Sequence, residues 1–201
     1  MEWLPEPPEG SKICLGFDGS ETGDWTCIKG ETLEGFLFTP RFAGLPTIWN
    51  PADYGGRVPR DEVDAAVDDL FRRFEVLRMY CDPPLWQSEI DMWSARHNQR
   101  GKAIVGEWPT YSAVRMYPAL ERFVTDLSTG RLRHDGCPLT TQHVKNARMG
   151  HRKDGRYVLF KPHVDRKIDA AVTSAICHEA ACDARARLFG KDSSPAIVFG
   201  I

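Results

Sequence analysis

The sequence lacks several features that would place a protein in a class at once. It has no run of about 18 consecutive apolar residues, so it predicts no membrane-spanning helix. The first ten residues, MEWLPEPPEG, contain neither a basic nor an apolar segment, so they do not resemble a signal peptide. No G-x-x-x-x-G-K-S/T stretch is present, which excludes the phosphate-binding loop of P-loop nucleotidases from this chain.

The six cysteines include no C-x-x-C pair. Several of them lie inside apolar runs, where cysteine behaves as a small hydrophobic residue, so the pattern fits a reduced cytosolic protein. A zinc site built from Cys177, His178 and Cys182 is conceivable, but the sequence offers no second cluster of ligands to complete it.

The composition is that of an ordinary globular protein, but the charge is unevenly distributed. The chain has 201 residues, 42% of them apolar and 27% charged, with a formal net charge of -2. The stretch 145–167 contains eight basic residues against two acidic ones. Such a patch attracts phosphate groups, although a solvated hairpin with charged edges gives the same pattern. Its basic residues are Lys145, Arg148, Arg152, Lys153, Arg156, Lys161, Arg166 and Lys167.

Residues 1–11 are rich in proline and are expected to be a linker remnant, followed by one domain over 12–201. The first three predicted strands, 12–18, 24–30 and 35–40, are joined by turn residues, which indicates an antiparallel meander.

Helices and strands then alternate, which predicts an α/β fold: a mixed sheet of the meander plus parallel strands, flanked by helices. The predicted strands are 75–82, 102–109 and one around 157–160, after a turn at 153–155. The predicted helices are 59–74, 85–97, 111–130, with Pro118 kinking or restarting it, and 165–189.

Three aspartates occupy topologically related positions. Asp18 ends the first strand and Asp82 ends the first strand after the meander. If these strands are parallel neighbours, their carboxyl ends bring the two side chains together, and Asp169 near the start of the last helix can face the same edge. Like charges this close repel each other, and a divalent cation such as Mg²⁺ or Mn²⁺ would offset that repulsion.

Each aspartate also has an ordinary interpretation, as a turn residue, a strand terminator or a first-turn acid of a helix. Asp165 is either a fourth metal ligand or the N-cap of the last helix. Asp24 is expected to support the site or the fold, and Glu107 to lie on the surface.

The sequence resembles the C-terminal nuclease domain of the large terminase subunit of tailed bacteriophages, within the RNase H-like superfamily. The resemblance spans about residues 12–187 and is carried by LGFDGSETGDWT, MYCDPPLW, the run that begins VGEWPTYSAVRMYPALERF, and KIDAAVTSAICHEA. It implies that Asp18, Asp82 and Asp169 are the catalytic, metal-binding acids and that one or two Mg²⁺ or Mn²⁺ ions bind there.

The resemblance further implies an endonuclease that cuts concatemeric double-stranded DNA in the host cell cytoplasm during genome packaging. The implied partners are DNA, an upstream ATPase domain of the same subunit, the portal and the small terminase subunit. Alternatives are another RNase H-like nuclease, such as a junction resolvase, and a non-catalytic module that docks on DNA or the portal. The side chains expected to contact DNA phosphates are Lys145, Arg148, Arg152, Lys153, Lys161 and Lys167.

Overall fold

The computed structural model describes residues 2–189. The strands are β1 Lys12–Asp18, β2 Thr26–Thr32, β3 Phe36–Phe38, β4 Arg41–Phe42, β5 Leu45–Pro46, β6 Ile48–Trp49, β7 Glu75–Cys81, β8 Val105–Glu107, β9 Arg133–His134, β10 Arg148–His151 and β11 Tyr157–Phe160. The helices are α1 Arg60–Arg73, α2 Gln87–His97, α3 Ala113–Ser128, α4 Pro138–Asn146 and α5 Asp169–Phe189, with a short 3-10 helix at Pro51–Tyr54.

The main sheet is mixed and has the order β8-β7-β1-β2-β3-β9, with β6 also paired to β2. The pairs β1–β2 and β2–β3 are antiparallel, whereas β1–β7 and β7–β8 are parallel. The predicted meander, the parallel strands and the flanking helices are thus confirmed. The pairs β10–β11 and β4–β5 form two separate two-stranded sheets.

Strand β1 lies at the centre of the fold because both of its faces are covered. Ile13, Leu15 and Phe17 pack into a core with residues of α1 and α2, while Cys14 packs against the alanine-rich face of α5. Successive side chains of a strand point to opposite faces, so the apolar run of β1 reflects burial on both sides.

Helix α5 crosses β1 at very short range. A Cβ atom added at Gly16 would lie 2.6 Å from the backbone nitrogen of Cys177 and 2.7 Å from the carbonyl oxygen of Thr173. Only glycine leaves room for this contact. The approach fixes the first turns of α5 over the carboxyl-terminal half of β1.

Several details differ from the sequence-based expectation. Strand β2 begins at Thr26 instead of residue 24, and α5 begins at Asp169 instead of residue 165. Helix α3 is continuous through Pro118, and α4 was not predicted at all. Because α5 begins at Asp169, Asp165 lies four residues before it, and the alternative that Asp165 is its N-cap is wrong.

The segment expected to be a linker lies on the domain. The Trp3 indole N–H donates to Asp135 Oδ2 at 3.0 Å, and the Glu6 carboxylate pairs with Arg73 at 3.1 Å. The boundary at residue 11 stays a prediction. None of the helices within residues 2–189 is long and apolar enough to cross a membrane.

Candidate functional site

The carboxyl ends of β1 and β7 bring Asp18 and Asp82 to one edge of the sheet. Phe17 of β1 is paired with Cys81 of β7, and the Asp82 N–H donates to the Phe17 carbonyl at 2.9 Å. Since the two strands are parallel, the residue that ends β1 and the residue that follows β7 lie next to each other. This adjacency was the basis of the sequence-based prediction.

Asp169 reaches the same edge from the other layer, because it is the first residue of α5. Its Oδ2 atom is buried and has no hydrogen-bond partner. A buried carboxylate oxygen without a donor is costly, so this atom is the clearest local sign that the site is suited to a cation.

The electrostatics show that the carboxylates form one cluster. Burial raises the pKa of Asp18 well above its ordinary value, and the negative charges of Asp82, Asp169 and Asp24 raise it further. Burial, followed by the charge of Asp24, raises the pKa of Asp169 to about 6, partly offset by the backbone N–H groups of Asp169 and Trp25. Four carboxylates therefore share this edge: the three predicted ligands and Asp24, whose charge acts on both Asp18 and Asp169.

Asp82 is held by a residue that sequence reasoning missed. Its Oδ1 accepts the Thr110 N–H at 2.9 Å and its Oδ2 accepts the Thr110 hydroxyl at 2.7 Å. Burial raises the pKa of Asp82, and these two hydrogen bonds lower it again in part. Thr110 lies in the loop after β8, where no periodic pattern marks the position.

Two lysines lie beside the cluster, on the loop that leads into α5. Lys161 and Lys167 both donate to Asp24 Oδ1, the latter at 3.1 Å. Burial acts to raise the pKa of Asp24, but these lysine hydrogen bonds outweigh it and lower the pKa. Asp24 thus keeps its negative charge beside the cluster, and its supporting role at the site stays a prediction.

The remaining predicted residues are exposed. Asp165 is 81% exposed and contacts His163 at 3.1 Å, so it is not among the charges that act on Asp18 or Asp169. Arg148 donates to the carbonyls of Lys145 and Ala147 at 2.8 and 2.9 Å, next to the end of α4. These contacts occupy part of its guanidinium.

Lys145 is exposed at the end of α4, and Arg152 and Lys153 are exposed in the turn of the β10–β11 hairpin. Glu107, also exposed, accepts a hydrogen bond from Gln87 at 2.8 Å.

The donor set fits a hard divalent cation. Asp18, Asp82 and Asp169 supply oxygen atoms only, which is what Mg²⁺ and Mn²⁺ prefer. Their mutual repulsion and the unpartnered Oδ2 of Asp169 are both relieved by a positive charge between them.

The sheet order, the antiparallel meander and the helices on both faces define an RNase H-like fold. No family model matches the chain. In sequence, it is 35% identical over 185 residues to the Gene 13 protein of Mycobacterium phage D29; the match covers 87% of this chain and 30% of that protein. The chain thus spans about a third of the length of this curated relative.

Solved structures agree on the fold. The large terminase nuclease of thermophilic phage G20c with bound magnesium superposes with a TM-score of 0.66 at 11% identity, over 89% of this chain and 90% of that one. The large terminase of bacteriophage HK97 gives 0.64 at 20% identity, over 88% of this chain and 40% of that one. The chain has the fold of large terminase nuclease domains, which confirms the predicted resemblance.

Proposed function

We propose that this chain is the nuclease domain of a phage large terminase subunit, a metal-dependent endonuclease that cuts concatemeric double-stranded DNA during genome packaging. The observation that carries the proposal is the cluster of carboxylates at the ends of β1 and β7, with the unpartnered Asp169 Oδ2. Supporting it are a sequence relative from a phage and a fold match to the G20c nuclease, which has been crystallised with magnesium, cobalt and zinc.

Asp18, Asp82 and Asp169 would hold one or two Mg²⁺ or Mn²⁺ ions, and Asp165 is left out because of its exposure. A bound divalent ion would activate a water molecule and stabilise charge on the phosphodiester. Thr110 fixes the orientation of the Asp82 carboxylate through both oxygens. Asp24 holds Lys161 and Lys167 beside the site, where a phosphate oxygen can compete for the same ammonium groups.

The exposed residues Lys145, Arg148, Arg152 and Lys153 would contact DNA phosphates, and such contacts do not depend on base sequence. By analogy with the terminases, the partners would be an ATPase domain, the portal and the small terminase subunit, and the place of action the host cell cytoplasm.

Plasmid cleavage in Mn²⁺ or Mg²⁺ tests the proposal. Asp18→Asn, Asp82→Asn and Asp169→Asn should each lower the cleavage rate at least about 100-fold, because each removes an ionic ligand. Asp165→Asn is the matched control and should stay within about twofold of the unsubstituted chain, since its side chain is exposed and outside the cluster.

Unchanged cleavage by the Asp18→Asn and Asp82→Asn variants would overturn the metal-nuclease assignment. DNA or portal binding with no metal-dependent cleavage by the unsubstituted chain would indicate a docking module instead. Cleavage confined to four-way junctions would indicate a resolvase. Circular dichroism of each variant shows that any drop in rate is not loss of the fold.

A further inference from the structure

A second cluster of metal-ligating side chains lies outside the carboxylate site. Asp126 of α3 and His178 and Cys182 of α5 place one potential ligand atom each within 4.8 Å of one another. His178 is nine residues along α5 from Asp169, about 13 Å at the rise of an α-helix. The two groups are therefore separate, and this inference does not depend on the proposed nuclease function.

The spacing of these residues in the sequence favours the binding of one metal ion by all three. His178 and Cys182 are four residues apart, so they lie on the same face of α5, one turn from each other. Asp126 comes from α3, whose residues Leu120 and Phe123 pack in one core with Ala175 and Cys177 of α5. Packing of the two helices thus holds the three side chains in place without a metal.

The two separations from His178 match a tetrahedral site. His178 Nε2 lies 3.1 Å from Asp126 Oδ2 and 3.5 Å from Cys182 Sγ. With bonds of about 2.0 Å to nitrogen and oxygen and about 2.3 Å to sulfur, ligands around zinc are separated by about 3.3 Å for nitrogen and oxygen and about 3.5 Å for nitrogen and sulfur. The ligand atoms of Asp126 and Cys182 lie within 4.8 Å of each other, so a turn of either side chain toward a shared ion completes the geometry.

The surroundings orient the histidine. Its Nδ1 contacts the Glu31 carboxylate at 2.9 and 3.1 Å, and Glu31 is fully buried. A carboxylate on the far nitrogen of a zinc-bound histidine is a common device that turns the other nitrogen toward the metal. The cluster also lines a surface cavity of about 410 Å³, which leaves room for water as a fourth ligand.

The same contacts can instead hold a protonated His178 between two carboxylates. Burial acts to lower its pKa, while hydrogen bonds with Cys182 and Glu31 raise it to about 10. A metal ion must displace this proton, as it does in many zinc sites. In the ion-pair description Cys182 contributes only a hydrogen bond at 3.5 Å to the His178 ring, whereas in the metal description all three side chains are ligands of one ion.

We propose that Asp126, His178 and Cys182 bind a zinc ion that fastens α3 to α5. Because α5 carries Asp169, such an ion would stabilise the helix that presents one of the site carboxylates. The ligand set of one thiolate, one imidazole and one carboxylate is a zinc-type set, in contrast to the all-oxygen set at the sheet edge.

Cobalt(II) tests the proposal, because a thiolate ligand gives a charge-transfer band that carboxylates cannot produce. The chain, first freed of metal with a chelator, should show this band at one equivalent of Co²⁺ and lose it when Zn²⁺ is added. The Asp18→Asn/Asp82→Asn double variant should keep the band, and Cys182→Ser should abolish it. Cys137→Ser is the matched thiol control and should keep it, since Cys137 is the residue before α4 and serine is favoured there.

Thermal unfolding gives a second measurement. In the Asp18→Asn/Asp82→Asn double variant, which lacks the carboxylate site, zinc at 100 times its Kd should raise the Tm by roughly 5–10 °C, and adding Cys182→Ser or Asp126→Asn to that variant should abolish the rise. Absence of the band in the unsubstituted chain, or its persistence in Cys182→Ser, would overturn the proposal and leave the ion pair as the description of the cluster. Neither result would bear on DNA cleavage.

Discussion

Asp169 lies in surroundings that oppose its own charge. Its pKa is raised to about 6 by burial and by the charge of Asp24, so the metal-free fold binds a proton there more tightly than the unfolded chain does. A group of this kind stabilises the fold at acid pH, below about 4. As the pH rises above about 4, the unfolded chain releases its proton while the folded chain still holds it, so this contribution decreases. It is lost once the pH has risen through about 6.

Asp169→Asn should therefore make the metal-free chain more stable than the unsubstituted one at pH 7.5, by roughly 1–3 kcal/mol, with a smaller difference at pH 5. Urea unfolding in EDTA at both pH values measures this. Added Mg²⁺ should reverse the order, because only the unsubstituted chain gains from binding. Asp165→Asn is the control. An equal increase in stability from that exposed position, or an increase for Asp169→Asn that does not depend on pH, would show that the raised pKa of Asp169 is not the cause.

At the scale of elements, the short contact between β1 and α5 positions the site. Gly16→Ala should destabilise the chain by about 1–3 kcal/mol, because the new methyl group would overlap the backbone of α5 at Thr173 and Cys177. Gly106→Ala in β8 is the matched control, since a Cβ at that position meets nothing within 4 Å. Thermal unfolding of both variants measures the difference, and equal Tm values for the two would show that α5 can move away at no cost.

The elements that sequence predicted best are those with a strong period and burial on both sides. Strand β1 was predicted with its observed bounds, and β7 to within one residue. Their parallel pairing then made the meeting of Asp18 and Asp82 predictable. Helix α4 was missed because Pro138–Asn146 is short, has no acidic first turn and has no side-chain cap.

Thr110, which a loop places, could not be predicted. It lies outside the regular elements, and only the folded chain brings it to Asp82. The start of α5 was misplaced for a related reason. The predicted helix began at 165 and so included Lys167, but in the structure Lys167 binds Asp24 from the loop before α5.

For the whole molecule, the net charge is only -2, but the stretch 145–167 is basic. Most of this stretch forms the β10–β11 hairpin and the loop after it. If that region binds DNA phosphates, Arg152→Ala/Lys153→Ala should weaken binding to duplexes of any sequence. The slope of log affinity against log salt should fall by up to about 1.8, which is about 0.9 for each phosphate that the variant no longer neutralises.

Fluorescence anisotropy with labelled duplexes in EDTA, at several salt concentrations, measures this slope. The control is Arg72→Ala/Arg100→Ala, which removes two exposed charges on α1 and in the loop after α2. If the slope changes equally in both double variants, DNA binding depends on the overall charge of the chain and not on the hairpin.

Asp18 and Asp169 influence each other across about 150 residues of sequence. Contacts of such long sequence separation form late, because the loop between them must close first. During synthesis, the strand that bears Asp18 leaves the ribosome long before the helix that bears Asp169. A half-made chain would thus carry no complete carboxylate site, and if the chain is the proposed nuclease, cleavage could begin only once the last helix has folded.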